Sequence, residues 1–291
     1  MPGVRIDHFF HPASNTFTYV VAEGRNEAGG DHCVIIDSAL DYDPKSGRTA
    51  TVAADEVAAH VRDNGLVVDW ILETHPHADH LTAAPYLKAQ LGGKIGIGQG
   101  VRQVQENFKA VFNLGDEFAT DGSQFDHLFE EGERFSFGDA SGEVWSTPGH
   151  TPACVCYLIE DAVFVGDTIF MPDFGSARCD FPDGDARTLF HSVKRLLALP
   201  PETRLFMCHD YGPGGREFRW LTSVGEQRAD NKHMNDGVDE EEFVAMRTAR
   251  DNELEMPVLL LPAVQVNVRG GAFPPPEENG VSYLKMPLNA V

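Results

Sequence analysis

The sequence predicts an α/β fold with its chemistry along one edge of an open sheet. Two observations lead to it. Apolar, β-rich runs alternate with helical periodicities, most clearly where a helical stripe over 51–64 stops at Gly65 and an apolar run over 67–73 completes a β-α-β unit. At several places an apolar run also ends in a short turn with a metal-ligand type of residue at its lip: His75 with His77, then His150, Asp167 and His209. The carboxyl ends of strands gather along one edge of an open α/β sheet, so ligands far apart in sequence can meet around one ion there.

Taken in order, residues 17–22 alternate and are β-rich, 26–31 read as a turn and 32–37 as a second strand, together a hairpin that opens the fold. Asp37 ends that strand, where its carboxylate is expected to support a metal-site group. Residues 41–48 read as loop. In the 51–64 helix, Val52, Val57, Ala58 and Val61 make the apolar stripe. The strand at 67–73 then delivers Thr74-His75-Pro76-His77-Ala78-Asp79-His80, which sets imidazoles and a carboxylate side by side. Pro76 keeps the backbone extended, so His75 and His77 can point to one side. Asp79 and His80 are expected to enter the start of a helix over 81–91, ended by Gly92-Gly93. Reading these as surface histidines beside a helix-capping aspartate explains Asp79 alone.

A short strand is expected at 94–97. Residues 99–134 hold Phe108, Phe112, Phe118, Phe125 and Phe129 between acidic residues and read as a structural wall, with a lid over the site as the sharper alternative. A strand at 142–146 runs into the rigid turn Thr147-Pro148-Gly149-His150. Strands at 154–159 and 162–165 meet at Glu160-Asp161, and the second ends in Gly166-Asp167. After a loop over 168–184, residues 185–199 form an amphipathic helix with Leu189, Val193, Leu196 and Leu197 inside, closed by Pro200-Pro201. The strand at 204–208 ends at His209-Asp210-Tyr211. Beyond Gly225 the chain is charged and helical to 255, apolar over 258–262, then Pro-rich. Residues 1–225 are expected to form the catalytic domain, and 226–291 an extension packed on it, because the tail has few apolar residues.

A net charge of −22 argues against nucleic acid and anionic membranes, since phosphate binding needs a basic face. No stretch reaches the roughly 18 apolar residues of a spanning helix, and the N-terminus lacks a signal peptide's basic start and apolar centre, so the expected location is cytoplasmic. The cysteines are scattered and odd in number, which makes reduced thiols the default. Cys33, Cys156 and Cys208 read as core, while Cys154 and Cys179 lie near the motifs as candidates for exposed, oxidisable thiols.

The His75-Pro76-His77-Ala78-Asp79-His80 motif, the Thr147-Pro148-Gly149-His150 turn, Gly166-Asp167 and His209 resemble the metallo-β-lactamase superfamily over roughly residues 15–215. The resemblance implies an αββα sandwich, two sheets back to back with helices outside and the metal site at one edge. Within that superfamily the chain resembles the glutathione persulfide dioxygenases. That match runs through Gly166-Asp167-Thr168-Ile169-Phe170-Met171-Pro172-Asp173, Ala177-Arg178-Cys179-Asp180-Phe181 and His209-Asp210-Tyr211-Gly212. Glu240-Glu241-Glu242-Phe243-Val244-Ala245-Met246-Arg247 and Leu261-Pro262-Ala263-Val264-Gln265-Val266-Asn267 carry it into the tail.

The resemblance implies one Fe(II) per chain held by His75, His150 and Asp167, with His77, Asp79, His80 and His209 as a second site or as supporting residues. Two imidazoles and a carboxylate leave open positions on iron for a persulfide sulfur and O2. The implied substrates are glutathione persulfide and O2, and a homodimer or higher homo-oligomer is implied as well. On so acidic a protein the glutathione carboxylates need specific donors. Arg178 is the first candidate and Arg216 and Arg228 are weaker ones. Tyr211 is a candidate to donate a hydrogen bond to the bound sulfur or an iron ligand.

The rival reading is a glyoxalase II-like thioesterase with one or two Zn(II) per chain, acting through metal-bound hydroxide on an acyl-glutathione. The acidic character of 236–256 argues against a basic glutathione grip there. A purely structural metal site is disfavoured because such sites are usually closed and Cys-rich. Which ion is loaded, and how many, stays open in the sequence.

Overall fold

The computed structural model describes residues 3–24 and 31–289. In chain order, β1 (Arg5–His11), β2 (Thr16–Ala22), β3 (His32–Ile36), β4 (Ala39–Asp43) and β5 (Arg48–Ala50) precede α1 (Val52–Asp63) and β6 (Val67–Glu73). Then come β7 (Leu81–Thr82), α2 (Ala84–Leu91), β8 (Lys94–Gly98), α3 (Val101–Val111) and β9 (His127–Phe129). The second half runs β10 (Arg134–Phe137), β11 (Ala140–Ser146), β12 (Val155–Ile159), β13 (Ala162–Phe164), α4 (Ala186–Leu196), β14 (Arg204–Phe206) and β15 (Leu221–Ser223). It ends in α5 (Val224–Asp230), α6 (Glu240–Asp251) and α7 (Leu260–Asn267).

Two six-stranded sheets form, ordered β1-β2-β3-β6-β8-β9 and β10-β11-β12-β13-β14-β15. The strands that end at the site, β6 and β13, pair in parallel with β3 and β8 and with β14. Side chains alternate across each strand. Phe17, Tyr19 and Val21 of β2 point between the sheets, where they meet Phe137, Tyr157, Phe164 and Phe206. Val20 and Ala22 face outward, toward Val57 and Val61 of α1, Leu87 of α2, Phe108 of α3 and Val264 of α7. On the other sheet's outer face, Leu189, Val193 and Leu196 of α4 pack with Phe243 of α6. Both faces of each sheet are therefore covered, and the αββα sandwich is observed. Burying each such aromatic side chain stabilises the fold by roughly 1.5–3 kcal/mol, so the inter-sheet layer does most to hold the sheets together.

Several elements differ from expectation. Residues 5–11 add an edge strand, and 41–48 belong to the β4–β5 hairpin. Val52 is 63% exposed and leaves the α1 stripe. The helix expected at 81–91 starts at Ala84 after β7, with Ala83 at its N-cap, so Asp79 caps nothing. Residues 99–134 contain α3 and β9; their five phenylalanines are buried and nothing in the segment lines the central cavity, which makes it a wall and overturns the lid reading. The tail is helical at α7. Cys154 and Cys179 are buried rather than exposed, and burial pushes the Cys154 thiol up to about 12, so neither is poised for oxidation. The turn expected at 26–31 lies, apart from Asp31, outside the described residues. No helix among the described residues is long and apolar enough to cross a membrane.

Candidate metal centre

The site is built where β3, β6, β11 and β13 end. Asp37 follows β3 with φ +53, a left-handed conformation that aspartate tolerates better than bulkier residues. Its carboxylate accepts hydrogen bonds from Thr74 N–H at 2.7 Å and from Thr74 Oγ1 at 2.9 Å. With its proton committed to Asp37, Thr74 Oγ1 accepts from Nδ1 of His75 at 3.1 Å, and His75 Nε2 is left as a lone pair facing inward. His150 Nδ1 donates to the carbonyl of Arg178 at 2.8 Å, and His80 Nδ1 to that of Leu81 at 3.1 Å, with the same result. His209 Nδ1 meets Thr16 Oγ1 at 3.2 Å, which continues through Ser14 to His11. Glycine is required in the His150 turn: Gly149 has φ +135, and a Cβ there would lie 2.4 Å from the Leu189 backbone of α4.

These orientations bring His75, His150 and Asp167 together. Asp167 Oδ2 lies 3.7 Å from His75 Nε2 and 3.6 Å from His150 Nε2. A second group gathers His77, Asp79, His80 and His209, its donor atoms within 4.8 Å of one another. Asp167 Oδ1 reaches toward it, 3.3 Å from His209 Nε2, so the carboxylate stands between the two groups.

His77 does not join the first group. Its Nε2 is 3.1 Å from Asp37 and 3.3 Å from Glu73. Burial works against a charge on this ring, but the two carboxylates outweigh it and hold the His77 pKa well above its ordinary value. Asp37 is shifted the opposite way, below the usual carboxylate range: burial would raise it, and His77 with the Thr74 bonds prevails. Burial, followed by the neighbouring imidazoles with His77 first, depresses His75 strongly, while burial and then His77 take His80 to about 3. Both rings are neutral, as ligands must be.

The donor set fits a metal ion. Nε2 of His75, His80 and His209, Nδ1 of His77, Oδ2 of Asp79 and Oδ1 of Asp167 are buried without a hydrogen-bond partner. Each such atom left unpaired costs about 1–3 kcal/mol, and their clustering fits the donor set of a bound cation.

A cavity of about 580 Å³ opens over Asp79, His80, His150 and Asp167 and is walled by Phe170, Phe174 and Phe181. Of the predicted substrate residues, Arg178 and Tyr211 line it, and Arg216 and Arg228 do not. Arg216 is held between Asp173 and Asp210, and Arg228 pairs with Asp236 on the surface. Both are corrected out of the pocket, because each guanidinium is spent on carboxylates of its own neighbourhood. The Arg178 guanidinium is bound bidentately to Asp180 and donates to the Glu255 carbonyl. Tyr211 is 40% exposed and stacks on Phe174 with ring centroids 4.5 Å apart.

The sequence reading missed Arg247 and Arg250 of α6, which line the cavity. Arg247 is paired with Asp251, whereas the Arg250 guanidinium has no hydrogen bond or ion pair among the described residues. The acidic character of 236–256 hid them; two arginines three apart on one helix were the available signal.

Two back-to-back sheets, helices on both outer faces and a His/Asp cluster at one rim define a metal-site αββα protein. Residues 12–209 match the metallo-beta-lactamase superfamily, and the chain belongs to it. Glyoxylase B2 of Dictyostelium discoideum is 54% identical over 259 residues, covering 88% of this chain and 89% of its own. The mitochondrial persulfide dioxygenase ETHE1 of Homo sapiens is 28% identical over 275 residues, covering 94% of this chain and 91% of its own. The crystal structure of ETHE1 from Myxococcus xanthus superposes with a TM-score of 0.70 at 28% identity, covering 92% of this chain and all of that one.

Proposed function

We propose that the chain is a persulfide dioxygenase with one Fe(II), converting glutathione persulfide, O2 and water to glutathione, sulfite and two protons. The observation that carries this reading is the composition of the first donor group. It contains two imidazoles and one carboxylate, because His77 is turned to Asp37 and Glu73. Two histidines and a carboxylate with open positions are the donor set of non-haem Fe(II) oxygenases. Iron bound by His75, His150 and Asp167 would supply the redox chemistry that moves four electrons from the terminal sulfur to O2. The protein's own part is alignment and exclusion of water. Thr74 and the Arg178 carbonyl fix the two rings, the phenylalanine wall keeps the sulfur end dry, and Arg250 presents an open guanidinium to a glutathione carboxylate.

A second reading, hydrolysis of an acyl-glutathione at two zinc ions, is supported by the assembled group of His77, Asp79, His80 and His209, by the two arginines of α6, and by the name of the Dictyostelium relative. The deciding experiment loads the metal-free protein with iron or with zinc and measures oxygen uptake with glutathione persulfide beside thioester hydrolysis of an acyl-glutathione. Rapid uptake by a one-iron form, lost in Asp167→Ala, supports the dioxygenase. Hydrolysis by a two-zinc form with no uptake by the iron form overturns it.

A further inference from the structure

Asn267 is the last residue of α7, far along the chain from the histidine motif, and is 3% exposed. Its amide is fully engaged with the loop that carries Asp79 and His80. Nδ2 donates to the carbonyls of His77 and His80, both at 2.8 Å, and Oδ1 accepts from Thr82 N–H at 2.9 Å. Residues 75–80 make no backbone-to-backbone hydrogen bond among the described residues. A buried loop must place its peptide groups somewhere, and here one side chain takes two carbonyls and an N–H that flank two metal-ligand candidates.

The helix behind that amide is firmly seated. Leu260, Ala263, Val264 and Val266 lie in the same core cluster as Leu81, Ala84 and Leu87 around the loop's exit. Beyond the helix, a Cβ on Gly271 would come within 2.5 Å of Pro85, so the chain presses on the start of α2 as well. The clamp also reaches the carboxylates: Thr82, whose N–H Asn267 receives, donates its hydroxyl to Glu73, one of the two acids beside His77.

We propose that Asn267 is a positioning residue for metal binding, holding the backbone on both sides of Asp79 and His80 so that these donors face His209. The proposal rests on the metal-site reading and not on which reaction the ion serves. Partners that orient ligands typically change metal affinity by about 10–100-fold when removed.

The test uses the full-length, metal-free protein and Zn²⁺ alone, titrated against a chromophoric chelator, with hydrogen exchange read at the amides of 77–82. Asn267→Ala and Asn267→Asp are expected to weaken the more weakly held zinc by about 10–100-fold and to speed exchange at Thr82. Gln265→Ala is the control. It sits on the same helix but bonds Leu261 and Lys285, and it should leave both readouts unchanged. Wild-type zinc affinity in the Asn267 variants, or an equal loss in Gln265→Ala, would overturn the proposal. Should Asn267→Ala not fold, the isosteric Asn267→Asp decides. Absence of oxygen uptake with zinc binding intact would count against the dioxygenase reading and leave this one standing.

Discussion

Replacing Asp37 by Asn tests the support beneath the metal centre. The carboxylate is 2% exposed and takes the Thr74 N–H at 2.7 Å, the Thr74 hydroxyl at 2.9 Å and His77 Nε2 at 3.1 Å. Thr74 N–H and His77 Nε2 share Oδ1, so an asparagine of the same shape can keep both on its one oxygen, but it then turns an NH2 group toward the Thr74 hydroxyl that Oδ2 now accepts. It also removes a negative charge from beside a ring whose pKa Asp37 and Glu73 raise against the effect of burial. Breaking a buried ion pair typically costs about 3–5 kcal/mol, and Glu73 still offers a carboxylate 3.3 Å away, so the expected loss is at the low end, about 3 kcal/mol. Urea unfolding of metal-free wild type and variant at neutral pH measures it, provided m is unchanged. Because Thr74 Oγ1 also anchors His75, iron affinity should fall by at least about 10-fold. A stability loss below about 1 kcal/mol together with unaltered iron binding would refute the reasoning, since that is the size of an ordinary surface substitution or less.

Arg250→Ala should raise KM for glutathione persulfide by about 10-fold with kcat little changed, and Arg178→Ala should raise it less, because the Arg178 donors are already held by Asp180 and Glu255. The reverse order would return Arg178 to the substrate. Gly149→Ala forces a Cβ against the Leu189 backbone and should displace His150, so purified protein is expected to lose most of its bound metal; full metal content would show that the turn can yield. Burial, followed by nearby Arg247, lowers His233 to about 3 while its Nδ1 accepts from Ser176 N–H at 3.0 Å. The unfolded chain, with a histidine pKa near 6.5, then binds the extra proton first, and stability falls as pH drops from about 6.5 toward 3, by at most about 1.4 kcal/mol per pH unit. His233→Gln should flatten that slope in acid-titrated unfolding, and an unchanged slope would mean that the ring protonates without cost.

The strands that deliver ligands were legible because each is a continuous apolar run cut short by a turn, the pattern of a strand covered on both faces. The edge strand Arg5–His11 was not, since its half-buried face mixes Arg, Asp and His with Phe. The Val101–Val111 helix is legible in the recurrence of Val101, Val104 and Phe108 at helical spacing, although the phenylalanines around it give the segment an irregular texture. At the site, the ligand types could be read from residue identity. The turning of His77 toward Asp37 and Glu73 could not, because it depends on where β3 and β6 end relative to each other. Arginine identity likewise said nothing about which guanidiniums were already committed. Asp180, Asp210 and Asp236 settle that, and only the fold brings Asp210 and Asp173 to the same arginine.

The donors arrive on loops from both sheets, so the unfolded polypeptide can offer a cation little beyond the short His75–His80 cluster. Native-state affinity for the ion thus becomes conformational stability by mass action, growing with the logarithm of free metal. Scarcity of metal during synthesis should then deplete the amount of intact protein, because a less stable fold is unfolded and open to degradation for a larger share of the time.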